Sequence, residues 1–469
     1  MPSAKRAVFG TRLGFYLAAV GSAFGLGNLW RFPYVVAENG GGAFVLLYLA
    51  LVFILGMPFL IAELALGKIS RGSLVPALSK LMGERYMVRE IRQRDWSGLP
   101  VVGWLIRRLG AFSLMITVVV LAYYAVISGW VLHFFMQLLV AVLRGSEFHP
   151  EGSLSVLLHN GWLQVALTSA HLLIVSVIVA KDLEIGLEKW VGYVMPGFGL
   201  LLAILVIQSL QMESAGEALR FLFYPNFAKL SLASVGQAVG HVLFTLSVGF
   251  GTMVTFGSYL REKVYIPMAG FRVCMMDSMI SIWAGAMIFP LVLIGGSTSP
   301  PGPELLFQTV PRLLERLPGG LWFGVLFFAC LYLASLGASI GLFETVVANW
   351  REVRRVPRPR GAATIAALCF VLAVGPALSS SVLRDVRLGD HNLLQFLDSA
   401  LINWCLPIAA LLVAQVVTWT LKRDLVAQEF LLEDQAGGDR IFRHWLFLLQ
   451  YIAIPVVLAG LVLQIWSIF

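Results

Sequence analysis

Residues 21–33 read Gly-Ser-Ala-Phe-Gly-Leu-Gly-Asn-Leu-Trp-Arg-Phe-Pro inside a segment that is otherwise apolar. A membrane helix needs about 20 consecutive apolar residues. Here three glycines, an asparagine and an arginine interrupt one. In hydrocarbon every backbone N–H and C=O must find a partner, so unwound chain is tolerated only where it is buried in protein or lines a cavity. The interruption marks a binding site near the membrane midplane.

The rest of the chain confirms the setting. It is 59% hydrophobic and only 13% charged, with a mean hydropathy of +0.84, which no soluble globular chain of 469 residues matches. Apolar stretches of spanning length recur at about 12–35, 41–66, 109–141, 162–180, 187–211, 234–259, 269–295, 320–348, 362–382, 396–421 and 444–468. The expectation is an all-α polytopic membrane protein of eleven transmembrane helices, in one domain over 1–469. The first apolar segment is too long for a cleavable leader and carries the motif itself.

Orientation follows from Lys and Arg. With the N-terminus cytoplasmic, 26 of the 34 basic residues lie on the inner side, seven lie in outer loops, and Arg31 lies within the membrane. The richest inner stretches are 68–108 and 351–360. This split supports a cytoplasmic N-terminus, and an odd helix count then puts the C-terminus outside; the expected setting is a cell inner (plasma) membrane, with lipid as the surrounding partner. Orientation accounts for the net charge of +8, and nucleic-acid binding has no claim on it. Cys274, Cys330, Cys369 and Cys405 lie in apolar segments without metal-ligand spacing and read as buried thiols.

A second interruption lies in the sixth helix, at Phe244-Thr245-Leu246-Ser247-Val248-Gly249-Phe250-Gly251. A small-residue packing face is its plain alternative. Paired with the first break, five helices earlier, it points to two inverted five-helix repeats, about 12–211 and 234–421, with 444–468 as an extra helix. No nucleophile–base pair, metal cluster or phosphate loop is present in the sequence, so an enzyme is not expected.

With Glu38-Asn39-Gly40-Gly41-Gly42-Ala43-Phe44 following it, the first break resembles that of the neurotransmitter:sodium symporter family, in its prokaryotic amino-acid-transporter branch. The resemblance covers essentially the whole chain. That family is itself a defining case of the inverted repeat, so the repeat does not count as independent support. The resemblance implies a sodium-coupled symporter importing a neutral hydrophobic or aromatic amino acid by alternating access.

Helix-end N–H groups suit a substrate carboxylate, and freed carbonyls suit a hard cation such as Na+. The resemblance implies that the carboxylate meets Leu26, Gly27 and the Tyr124 hydroxyl. Tyr123 reads instead as a packing tyrosine. Monoamine carriers of the family have an Asp where this chain has Gly25, so the substrate must supply its own carboxylate. The side-chain pocket implied by the resemblance is Val120, Phe244, Ser247, Phe250, Ala338 and Leu342, which carries no charge. A charged amino acid there would be buried without compensation.

By the same resemblance, a first sodium is held by the Ala23 carbonyl, Asn28, Thr245, Asp277 and the substrate carboxylate. Asp277, where the family often has Asn, would supply the negative charge that chloride supplies in other members. The chloride-site equivalents are Tyr48, His241 and Ser281. For His241 a plain core histidine is the alternative. A second sodium keeps only the carbonyls of Gly21, Phe24 and Ala334, because the two hydroxyl positions fall on Gly337 and Ala338. A one-residue register shift would bring in Ser335 or Ser339, but the following Ile340-Gly-Leu-Phe-Glu344 fits best unshifted. The expectation is one dominant sodium.

Arg31 and Asp398 match the family's outer gate, with Phe244 as a lid beneath. Arg6 and Glu352 match the inner gate, near Phe9 and Tyr259, although Arg6 reads equally as positive-inside charge. Gly186 and Pro196 match a device that unwinds the fifth helix. Glu63 and Glu344 read as structural hydrogen-bonding acids. Two rival functions remain open from sequence: a proton-coupled or sodium-independent amino-acid carrier, motivated by His241, Asp277 and the lost hydroxyls, and a non-transporting amino-acid sensor. The gates argue against the sensor.

Overall fold

The structure is a computed structural model that describes residues 7–81, 100–146, 148–294, 305–315, 317, 319–389, 391–431 and 437–466. Among the described residues, nine helices are long and apolar enough to cross a membrane. The bent pair Arg12–Ala23 and Gly27–Glu38 makes a tenth span. The eleventh is the pair Leu232–Thr245 and Thr252–Ser258, each half too short to cross alone.

In chain order span 1 is the bent pair, span 2 Gly42–Ser70, span 3 Arg108–Arg144, span 4 Gly161–Val179 and span 5 Glu184–Leu210. Span 6 is the second broken pair. Span 7 is Ile266–Leu293, span 8 Gly320–Arg354, span 9 Arg358–Leu378, span 10 Leu393–Thr420 and span 11 Gly438–Gln464. Each falls within a few residues of its expected place, except that the helix of span 3 starts early, at Pro100, and the ends of spans 8 and 11 also extend outward.

Spans 3, 7 and 8 are the most buried, with 72%, 72% and 78% of their apolar windows inside, whereas spans 4, 5, 9 and 11 are 28–39% buried and present apolar side chains outward. That outward apolar surface is what a lipid-facing helix requires. Helices approach closely where side chains are smallest. A methyl group on Gly67 of span 2 would lie 1.9 Å from the Val254 carbonyl oxygen, and one on Gly257 would lie 2.4 Å from that of Leu64. The two backbones are in direct contact there.

Span 1 starts at Thr11, whose hydroxyl accepts from the Gly14 N–H at 2.8 Å. Its first half ends where Phe24 turns extended, at φ −105° and ψ 133°, and the chain restarts through a wide turn at Gly27–Arg31, bent by 48°. Span 6 breaks differently. Ser247, Gly249 and Gly251 take φ values of +52°, +90° and +77°. Glycine adopts this conformation freely, whereas the serine is strained by it.

The sequence did not announce the shorter elements. These are helices Leu74–Leu81, Pro150–His159, Ala215–Phe223 and Arg423–Gln428, and an antiparallel pairing of Arg387–Leu388 with His391–Asn392. Three cysteines are buried as expected, but Cys405 is only partly so.

Candidate functional site

The two breaks meet. The Ser247 hydroxyl donates to the Ser22 carbonyl at 2.7 Å, and the Gly249 N–H donates to a Glu63 carboxylate oxygen at 2.7 Å. Ser247 was expected to face a substrate side chain, but its hydroxyl is instead committed to span 1. Glycine is required at the break in span 1. A methyl group on Gly25 would lie 2.2 Å from the Tyr124 hydroxyl and 2.7 Å from the Ala338 Cβ, and one on Gly27 would lie 2.7 Å from the Phe244 ring. An Asp at position 25 has no room in this arrangement.

A cavity of about 520 Å³ opens above the breaks. Of the residues expected around a substrate, Leu26, Gly27, Tyr124 and Phe244 line it as its floor. The Leu26 N–H donates to the Tyr124 hydroxyl at 2.9 Å. Val120, Phe250, Ala338 and Leu342 are buried and do not line this cavity, and Phe244 meets Phe250 edge-on with ring centres 6.2 Å apart. Its walls continue through Trp30, Arg31, Tyr34, Trp130 and Phe307 to Gln395 and Asp398.

Arg31 spans this wall. Its guanidinium lies 3.5 Å from Asp398 and donates to the Asn403 side-chain oxygen at 2.8 Å. Tyr123, read from sequence as a packing residue, donates its hydroxyl to the other Asp398 oxygen at 3.0 Å. Packing and a polar contact coincide here, because the ring is buried while its tip reaches the carboxylate. Neither Asn403 nor Tyr123 could be assigned from sequence, since both partners lie more than 250 residues away.

Behind the floor, spans 1, 2, 6 and 7 bring together the expected cation and anion residues. The Asn28 amide NH2 donates to Asp277 and to the Ser281 hydroxyl, both at 2.8 Å. The Tyr48 hydroxyl donates to the second Asp277 oxygen at 2.7 Å and lies 3.1 Å from Ser281. Thr245 faces the same carboxylate. With its NH2 so committed, Asn28 turns its Oδ1 into a buried position without a hydrogen-bond partner among the described residues. A buried oxygen without a donor, next to a carboxylate, is a fitting ligand for a hard cation. His241 packs on Phe32 and Tyr48, with ring centres 5.9 and 5.3 Å apart, and neither of its nitrogens has a hydrogen-bond partner among the described residues.

The second cation position looks different. A methyl group on Gly337 would lie 3.1 Å from the Gly21 carbonyl oxygen, one of the three carbonyls expected to line it. The two serines that a shift would recruit are engaged elsewhere. Ser335 donates to the Tyr332 carbonyl at 2.9 Å, and Ser339 is 2.9 Å from the His171 Nε2.

The end of the bundle away from the cavity is packed. Phe9 is buried against Phe15, Phe256 and Tyr259, and its N–H donates to the Tyr259 carbonyl at 3.1 Å. Glu188, in the turn that holds Gly186, accepts from the Gly10 and Thr11 N–H groups at 2.7 and 2.9 Å. Span 5 is helical from this turn through Pro196. Glu344 accepts from the Tyr259 hydroxyl at 2.8 Å and from Arg358. Glu352 accepts from the Ser73 N–H at 3.3 Å. Arg6, its expected partner, lies outside the described residues.

Two broken helices whose ends converge on a buried cavity, closed at one side and open at the other, define a membrane transporter. Comparison with known proteins agrees. The model of the sodium:neurotransmitter symporter family matches residues 6–82 and 147–468, and the chain belongs to that family. It is 30% identical over 467 residues to the uncharacterized sodium-dependent transporter YhdH of Bacillus subtilis, covering 98% of this chain and 99% of that protein. The mouse sodium- and chloride-dependent neutral and basic amino acid transporter B(0+) is 24% identical, over 97% of this chain and 78% of that one. Among solved structures, MhsT in complex with L-phenylalanine superposes with a TM-score of 0.85 at 30% identity, over 98% and 99% of the two chains. The protein is therefore a multi-pass membrane transporter of a sodium-dependent family, and not an enzyme.

Proposed function

We propose that this protein imports a neutral, apolar or aromatic amino acid together with sodium, by alternating access and without need of chloride. Asn28 carries the reading. Its NH2 is held by Asp277 and Ser281, which leaves its carbonyl oxygen as a buried acceptor beside a carboxylate. The Ala23 carbonyl and Thr245 would complete the cation's oxygens. The Tyr48 hydroxyl and Asn28 amide already point at Asp277, so a fixed carboxylate supplies the charge that a bound anion would bring.

The substrate's carboxylate would meet the Leu26 and Gly27 N–H groups and the Tyr124 hydroxyl, and its amine would find no acid at Gly25. Val120, Phe244, Phe250, Ala338 and Leu342 would receive an apolar side chain. MhsT was solved with L-phenylalanine, which fits that choice. The open cavity would be the outer vestibule, gated by Arg31 and Asp398, and the packed end would face the cytoplasm with the N-terminus. Residues 12–211 and 234–421 would be the two repeats, with spans 1, 2, 6 and 7 rocking against the others. The deciding experiment is uptake of a labelled amino-acid panel into proteoliposomes, with sodium or potassium outside. Uptake equal in both overturns sodium coupling.

His241 favours a second reading, coupling to protons, because among the described residues neither of its ring nitrogens has a hydrogen-bond partner beside Tyr48. Uptake driven by a pH gradient in the absence of sodium would establish it.

A further inference from the structure

Gly21 of span 1 and Gly337 of span 8 face the same side chain. A methyl group on Gly21 would lie 2.4 Å from the Met195 sulfur, a separation no real carbon tolerates. A methyl group on Gly337 would lie 3.4 Å from that sulfur, 3.5 Å from its terminal methyl and 3.1 Å from the Gly21 carbonyl oxygen. Val191, one turn earlier on span 5, approaches the Gly21 position at 3.4 Å. Met195 itself is only 5% exposed. Three spans thus meet around one thioether, and two of them have no side chain at the contact.

We propose that Met195 plugs the second cation position, so that this transporter carries a methionine where a sodium and its hydroxyl ligands would otherwise hold span 1 against span 8. The inference rests on the sodium-coupled reading above and goes beyond it, because it names what fills the place and why the hydroxyls are gone. Sodium is a hard cation that takes oxygen ligands, and a thioether is a soft, weak acceptor. A Thr at 337 would direct its branched side chain into the space that the Met195 sulfur and methyl use. The two glycines and the methionine are therefore one arrangement, and restoring hydroxyls alone does not restore the site. The plug also has a way out. Met195 precedes Pro196, which has no N–H to donate to the turn before it, so this turn of span 5 lacks one backbone bond.

The test counts bound ions. Purified protein is equilibrated with radioactive sodium and a saturating amino acid identified in the uptake panel, and ions per chain are measured by equilibrium dialysis. The wild type should bind one. Gly337→Thr with Ala338→Ser should still bind one, and adding Met195→Ala should raise the count to two. Two ions in the wild type, or two in the hydroxyl variant that keeps Met195, overturns the plug. So does a count of one in the triple variant that still unfolds cooperatively and binds substrate. A second measurement needs no variant: wild-type flux reversal at set gradients and voltages should fit one sodium, and a fit to two overturns the plug. A count of zero in the wild type instead removes the sodium-coupled reading itself.

Discussion

The Ser247 hydroxyl donates to the Ser22 carbonyl at 2.7 Å, and the same serine is held at a φ of +52°. One residue thus joins the two helix breaks at the cost of backbone strain. Losing the bond should cost about 1 kcal/mol. Left-handed backbone costs a non-glycine residue roughly 1–2 kcal/mol. Ser247→Ala should therefore be destabilised, whereas Ser247→Gly loses the bond but relieves the strain and should unfold at a temperature near that of the wild type. Thermal unfolding in detergent decides the order. An alanine variant more stable than the glycine variant contradicts it.

Asp277 accepts from Asn28 and Tyr48 on its two oxygens. Uptake should persist when chloride is replaced by gluconate. Asp277→Asn, which keeps the shape and removes the charge, should lose uptake or regain it only with chloride. A wild type that stops in gluconate refutes the fixed-charge account.

Gly25 sits under the Tyr124 hydroxyl and itself offers no acid to pair an amine. Leucine and tryptophan should raise the unfolding temperature in sodium, and tryptamine should not, because it lacks a carboxylate. Equal stabilisation by tryptamine means that the carboxylate is not what the break recognises.

Tyr123 and Arg31 share Asp398. This site is half open to the cavity, so a single hydrogen bond there is worth only about 1 kcal/mol. Tyr123→Phe should speed substrate dissociation by about five-fold while leaving sodium affinity unchanged. An unchanged dissociation rate would reduce Tyr123 to a packing role.

Coupling sets a ceiling on accumulation. A potential of about 100 mV supplies roughly 2.3 kcal/mol per charge, and a tenfold sodium gradient adds about 1.4 kcal/mol. One sodium then supports a few-hundred-fold accumulation of a zwitterion, and two would support on the order of 10⁵-fold. Accumulation in tight vesicles should level off at the lower figure, and a steady ratio far above it rules out a single ion.

Much of this was legible in the sequence because membrane helices announce themselves locally. An apolar run of fixed length, broken by Gly25, Gly27, Gly249 and Gly251, is a one-dimensional signal. The breaks, the span order and the Asn28–Asp277 cluster follow from it together with the family resemblance. What escaped depended on contacts between distant segments. Asn403 looks like any polar residue until Arg31 arrives from span 1. Tyr123 and Tyr124 are neighbours on one helix, yet one reaches Asp398 and the other Leu26. Met195 reads as an ordinary apolar residue, and only the facing glycines give it meaning. Short helices such as Pro150–His159 and Ala215–Phe223 lie between spans, where no long apolar run marks them.

The close contacts of Gly67 with Val254 and of Gly257 with Leu64 constrain how the protein can move. Backbone against backbone, without side chains between, leaves no layer that can shear. Small displacements would drive the Val254 and Leu64 carbonyls into the facing helix. The lower half of span 6 is thus fastened to span 2 as a splint is to a bone, and bending must be taken up at the left-handed residues Ser247, Gly249 and Gly251 above it. Opening the packed end therefore means swinging both rods together about that one joint.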